Sequence, residues 1–247
     1  MQVEHVDFIA VPVADLARAD AFYGETLGLA RNPNTSGDRW VEYETGNLTL
    51  ALSKFGGALG LRVPDVVDGR TELEAQDVPF AMDTFDSGVC HGAPFADPDG
   101  NRLVLHRRYA PLERFGVPAQ EVLRTDFVGV NVKDRAAASD FYGRTLGMTR
   151  NPLSSDEWPE FEADNVGLVL STPEQKGEGA HRPEYGIALR VADVQESMDR
   201  LRSAGVEFEF PQVYDTGVCR MAFFKDPDGN SLILHRRYAP YSDGTMP

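Results

Sequence analysis

Apolar positions in the first half of the chain come in short bursts with two different periods. Val6–Val11 is a nearly continuous apolar run that ends at Pro12, the pattern of a buried strand. Asp15 then stands at a helix-capping position ahead of Leu16, Ala19, Phe22 and Tyr23, which share one helical face; Gly24 and Gly28 mark the stop. Over Trp40–Glu44 and Leu48–Leu52 the period falls to two, which predicts two half-buried strands. The order then restarts. A strand over Leu59–Val63 leads to a helix opened by Asp65 and to two strands joined by the turn Asp97-Pro98-Asp99-Gly100. The unit is a strand, a helix and three strands, and the strand straight after each helix is the faintest.

Residues 123–241 say all of this again. Gly88-Val89-Cys90 matches Gly217-Val218-Cys219, and Asp97-Pro98-Asp99-Gly100-Asn101 with His106-Arg107-Arg108-Tyr109 matches Asp226-Pro227-Asp228-Gly229-Asn230 with His235-Arg236-Arg237-Tyr238. Such self-similarity is read before anything else because it sets the domain count. Phe22-Tyr23 pairs with Phe141-Tyr142 at an offset of 119, Trp40 with Trp158 at 118, and Arg62 with Arg190 at 128. The extra residues fall in Ser171–Tyr185, which reads as a surface loop. The expected organisation is an α+β chain of four βαβββ units paired into two tandem domains, 1–112 and 123–247. A linker over 113–122 carries Gly116 and Pro118.

Composition narrows the partners. A net charge of −15 argues against nucleic acid and anionic membrane surfaces. No apolar run approaches the roughly 18 residues of a membrane span, and the N-terminus does not resemble a signal peptide. Two cysteines, Cys90 and Cys219, are too few for a disulfide framework, so a cytoplasmic protein is expected.

The repeated units, the Phe-Tyr-Gly-x-Thr-Leu-Gly helix ends and the Asp-Pro-Asp-Gly-Asn turns resemble the vicinal oxygen chelate superfamily. That group includes glyoxalase I, extradiol dioxygenases, fosfomycin-resistance enzymes and bleomycin-resistance proteins. The resemblance implies two glyoxalase-like domains, each curling its sheet around a cavity, with a divalent cation held by four strands in metal-dependent members. It places the ligands at Phe8, at Thr49 or Ala51, at Ala58 and at Val104. In the second domain they fall at Phe127, at Gly167 or Val169, at Gly186 and at Ile233. These residues supply no set of nitrogen and oxygen donors for such an ion. The expectation is no metal and no cofactor.

Other residues remain for chemistry. His106 and His235 lie two residues beyond Val104 and Ile233, hence on the same strand face, and are the one histidine pair that matches between halves. Each can be a general base or simply a satisfied core histidine. Glu42 and Glu160 share a face with Trp40 and Trp158, and an aromatic wall with few polar groups suits a small-molecule site. Phe8, Phe127 and Asn131 complete the candidate ligand-binding residues. Cys90 and Cys219 read as buried inert thiols, because the neighbour is His91 in one half and Arg220 in the other. The arginine pairs at 107–108 and 236–237 read as partners of nearby carboxylates.

Three functions fit. The first is metal-free binding of an aromatic or polycyclic small molecule, as in antibiotic-binding resistance proteins. The second is a metal-free isomerase, lyase or cyclase of natural-product metabolism, moving protons with His106, His235, Glu42 or Glu160. The third is a glyoxalase- or dioxygenase-like metalloenzyme whose ligands lie elsewhere. A monomer or homodimer is expected.

Overall fold

The computed structural model describes residues 1–111, 120–172, 184–240 and 246. Most of the expected linker and of the expected surface loop lie outside these residues.

The first half runs β1 (His5–Pro12), α1 (Leu16–Ala21), β2 (Ala30–Arg31), β3 (Trp40–Glu44), β4 (Thr49–Ser53) and β5 (Ala58–Arg62). It continues with α2 (Val66–Glu74), β6 (Phe85–Asp86), β7 (Cys90–Ala96) and β8 (Arg102–Arg108). The second half repeats it as β9 (Arg124–Asn131), α3 (Arg135–Asp140), β10 (Thr149–Arg150), β11 (Glu160–Ala163), β12 (Val166–Ser171) and β13 (Tyr185–Arg190). Then come α4 (Val194–Ser203), β14 (Tyr214–Asp215), β15 (Cys219–Lys225) and β16 (Ser231–Arg237). Each half forms one eight-stranded mixed sheet, ordered β2-β3-β4-β1-β5-β8-β7-β6 and β10-β11-β12-β9-β13-β16-β15-β14. The two units of each domain join where β1 runs antiparallel to β5 and β9 to β13.

Local chemistry accounts for these elements. Asp15, Asp65, Asp134 and Asp193 each cap a helix by accepting backbone N–H bonds, a device worth about 1 kcal/mol apiece. The helices α1 and α3 end in a π-helical turn, Phe22–Thr26 and Phe141–Thr145. The Asp-Pro-Asp-Gly turns close through Gly100 and Gly229 at φ of +88° and +89°, where a side chain would be strained.

Strand alternation divides each sheet into two faces. Ile9, Leu50, Leu59 and Leu105 point toward α1 and α2 into a core continuous through both domains, which also holds Tyr23, Tyr43, Tyr142 and Phe161. Phe8, Ala10, Ala58 and Val104 point to the helix-free face.

The domains are joined by reciprocal bonds. Tyr23 donates to Asp226 and Tyr142 to Asp97, each at 3.0 Å. Asn101 donates to the Asn131 carbonyl and Asn230 to that of Pro12. Asn47 and Asn165 donate to each other's backbone carbonyl at 2.8 Å. The repeated turn therefore does more than end a strand: its aspartate and asparagine bind the other domain.

Candidate functional site

On the helix-free face of the first domain, the strand register sets Thr49, Phe8, Gly60, Val104 and Pro94 in one row across five strands. The neighbouring row holds Glu42, Ala51, Ala10 and Ala58. Alanines leave room above the sheet, and the half-buried rings of Trp40 and Phe8 use it, meeting edge to face at 5.7 Å. Ala10, Ala58 and Val104 with these two rings form an apolar cluster separate from the main core. Glu42 borders it, accepting a 2.7 Å bond from the Trp40 indole and another from Thr35.

Phe8 covers Gly60 closely: a Cβ on Gly60 would sit 2.3 Å from the ring. Gly60, rather than Ala58, is the β5 residue opposite Phe8. The ring occupies the row in which the resemblance places an ion in metal-dependent proteins, and among its side chains only that of Thr49 carries an oxygen. In the second domain the row is Gly167, Phe127, Ala188, Ile233 and Phe223. No group of three or more His, Cys, Asp or Glu among the described residues could hold a metal ion. The residues present do not fit a divalent cation at the position the resemblance implies.

One step along the sheet lies His106. Its ring meets Phe8 edge to face at 5.3 Å, and Nδ1 is 2.5 Å from Oδ2 of Asp7. Asp7 reaches this face through a β-bulge: Val6 pairs with Leu61 and Phe8 with Gly60, so Asp7 is the extra residue. Its other oxygen meets His5 at 2.9 Å and Arg62 at 3.5 Å. The second domain repeats the arrangement, with Asp126 in the bulge, 2.5 Å from Nδ1 of His235 and 2.6 Å from Arg190. Burial disfavours the charged ring of His106, but the bond to Asp7 and the nearby Cys90 outweigh it and raise the pKa to about 9. His235 is raised to about 9 by the same balance with Asp126 and Cys219. Asp7 is lowered: burial opposes this, and His106, His5 and Arg62 prevail.

Cys90 is half-buried on β7, two residues before Gly92, which pairs with His106. The thiol and the imidazole therefore share a face. Its sulfur is 3.1 Å from the Ser87 hydroxyl, and Cys219 has Thr216 at 3.3 Å. Burial raises both thiols, yet His106 with Ser87, and His235 with Thr216, bring them below the ordinary value. The imidazole on the thiol's face is across the hairpin, not beside the cysteine in sequence.

The remaining candidates are less alike between domains than their sequence suggests. Trp158 precedes β11 and is 45% exposed, so it does not stand over Phe127 as Trp40 stands over Phe8. Glu160 lies across Gly167 and accepts from Asn151 at 3.2 Å; burial, then Glu162, raises its carboxyl. Asn131 is fully buried at the domain junction. Phe127 packs on His235 at 5.3 Å. Arg107 pairs with Glu4, while Arg108 binds the Ala110 and Pro111 carbonyls. A cavity of about 270 Å³ lies elsewhere, between the domains beside Ile9, Val11, Ile187 and Asp228.

Residues 124–234 match the family model described as Glyoxalase/Bleomycin resistance protein/Dioxygenase superfamily. No curated protein sequence is significantly similar to the chain. Among solved structures, the fold is similar to that of the Mn(II)-bound glyoxalase from Novosphingobium aromaticivorans (14% identity, 94% of this chain and 82% of that one, TM-score 0.68). It is also similar to the 2,3-dioxygenase LapB from Pseudomonas sp. KL28 (13%, 98% and 95%, TM-score 0.70). An extradiol ring-cleaving dioxygenase from B. fuscum aligns comparably (16%, 99% and 75%, TM-score 0.69). No helix among the described residues is long and apolar enough to cross a membrane.

Proposed function

We propose that this chain, a tandem member of the glyoxalase/bleomycin-resistance/dioxygenase superfamily by its second-domain match and the fold of both halves, binds an aromatic small molecule without the family's metal ion. The site is the helix-free face of the first domain. One observation carries this reading: an apolar cluster of Ala10, Ala58, Val104, Phe8 and Trp40 stands apart from the core, with Glu42 at one side and His106 at the other. An apolar floor with few polar groups orients a planar ligand. The chain's net charge of −15 favours a neutral or cationic one.

The test is titration of chelator-treated protein with a panel of neutral and cationic polycyclic aromatics, read by tryptophan fluorescence. Saturable change that Phe8→Ala abolishes supports the reading. Absence of change across the panel, or binding restored by divalent metal alone, overturns it.

The Asp7–His106 and Asp126–His235 pairs favour a second reading, metal-free proton-transfer catalysis. An aspartate that fixes one ring nitrogen leaves the other, on the thiol's side, to hold or move a proton. Retained turnover in both His106→Gln and His235→Gln would remove it.

A further inference from the structure

We propose that Cys90 and Cys219 are nucleophiles, each served by its own domain's histidine and a positioning aspartate, and that they take small soft carbon electrophiles such as α,β-unsaturated carbonyl compounds. Three observations carry this. The cysteine, histidine and aspartate share the helix-free face in both domains, on the same three strands of each unit pair. Asp7 and Asp126 hold Nδ1 of His106 and His235 at 2.5 Å, so the ring's second nitrogen is the one free to serve the thiol. The thiols are half-buried and not disulfide-bonded. A cysteine kept only for packing does not require a fixed imidazole on its own sheet face, one register position away, in both domains.

The two arrays were built by the same devices. Asp86-Ser87-Gly88-Val89-Cys90 and Asp215-Thr216-Gly217-Val218-Cys219 turn through a glycine at φ of +82° and +81°. The Ser87 and Thr216 hydroxyls accept the cysteine N–H, and Tyr109 and Tyr238 lock Asp86 and Asp215. The repeated tyrosine ending thus anchors the turn that presents the thiol.

The charged and titratable groups around the first thiol are His106, Arg108 and the Asp86-bound Tyr109, with Asp7 behind the histidine and His5 and Arg62 behind Asp7. Around the second they are His235, Arg237 and the Asp215-bound Tyr238, with Asp126, Arg190 and Arg124 behind the histidine. Both surroundings favour a thiolate beside an imidazolium. In conjugate addition the thiolate forms an S–C bond at the β-carbon while the C=C π pair moves toward the carbonyl. The imidazolium then gives its proton to the α-carbon. No oxidant or reductant is consumed. His106 also borders the proposed binding face, but Phe8 and Trp40 have no part in this step, so either reading can fail alone.

The experiment is acrylamide addition to the full, folded protein between pH 5.5 and 9.5, with Cys90 and Cys219 followed separately by peptide mass spectrometry. Both should react with a pH–rate midpoint below the ~8.5 of an ordinary thiol. Asp7→Asn should raise the midpoint of Cys90 and leave that of Cys219 unchanged, and Asp126→Asn should do the reverse. In each variant the other cysteine reports that the protein is folded. Midpoints at or above ~8.5 in the wild type, thiols that react only in denaturant, or midpoints that neither variant moves would each overturn the proposal.

Discussion

Oδ2 of Asp7 and Nδ1 of His106 stand 2.5 Å apart across the first sheet, though 99 residues separate them in the chain. Asp126 and His235 repeat the relationship at the same distance in the second sheet. Both pairs depend on a bulge that turns an aspartate onto the face that the next residue, Phe8 or Phe127, already occupies.

Stability should fall between pH 6.5 and 9. His106 and His235 are raised from 6.5 to about 9, so their contribution is complete below pH 6.5 and is lost as pH rises through 9. Asp7 is lowered, so its contribution is present above 3.8 and disappears as pH falls through its folded value. The lowered thiols of Cys90 and Cys219 gain stability over part of the same range and offset some of this, so the net loss on the alkaline side should be on the order of 1 kcal/mol per pair. Urea denaturation at pH 6 and pH 9 measures it, and equal stability at the two would contradict it. His106→Gln should remove about half of the difference.

The two tryptophans should report differently. Trp40 packs on Phe8, whereas Trp158 is 45% exposed. Trp158→Phe should keep any ligand-induced fluorescence change and Trp40→Phe should abolish it. The opposite pattern would move the site to the second domain.

Gly60 and Phe8 should be energetically coupled. A methyl at Gly60 would lie 2.3 Å from the Phe8 ring, so Gly60→Ala should cost about 1–3 kcal/mol through overpacking. In Phe8→Ala/Gly60→Ala that penalty should largely vanish. A double-mutant cycle by denaturant titration gives the coupling, and strict additivity would mean that the ring does not cover Gly60.

Asn47 should matter to the pairing of the domains. Its amide donates to the carbonyls of Thr125 and Asn165 and its oxygen accepts from Thr125 N–H. Asn47→Ala strands these groups and should destabilise by about 1–3 kcal/mol. A change under about 0.5 kcal/mol would mean that the junction is held by its other contacts, such as Tyr23–Asp226 and Tyr142–Asp97, and not by Asn47.

Much of this was legible in the chain because it rests on local rules. Aspartate caps, period-two alternation and the doubled turn give the unit order and both sheets. Placing His106 on the face of Val104 needs nothing more than strand periodicity. Asp7 and Asp126 escaped because a bulge breaks that periodicity, although their recurrence before Phe8 and Phe127 was a usable signal. That His106 shares a face with Cys90 is not legible beside the cysteine in sequence, because His106 lies across a hairpin. Trp158 looked equivalent to Trp40, yet its strand begins two residues later, at Glu160. The Asp97 and Asp226 turns could not reveal their grip on Tyr142 and Tyr23, since that contact is made between domains.

The most direct test of the central claim is methyl NMR on protein labelled at alanine, valine and isoleucine, titrated with an aromatic compound selected by fluorescence. The binding face proposed for the first domain predicts shifts concentrated at Ala10, Ala58 and Val104, saturating together with the Trp40 signal. Shifts confined to Ile9, Val11 and Ile187 around the interdomain cavity, or in the second domain, would contradict it.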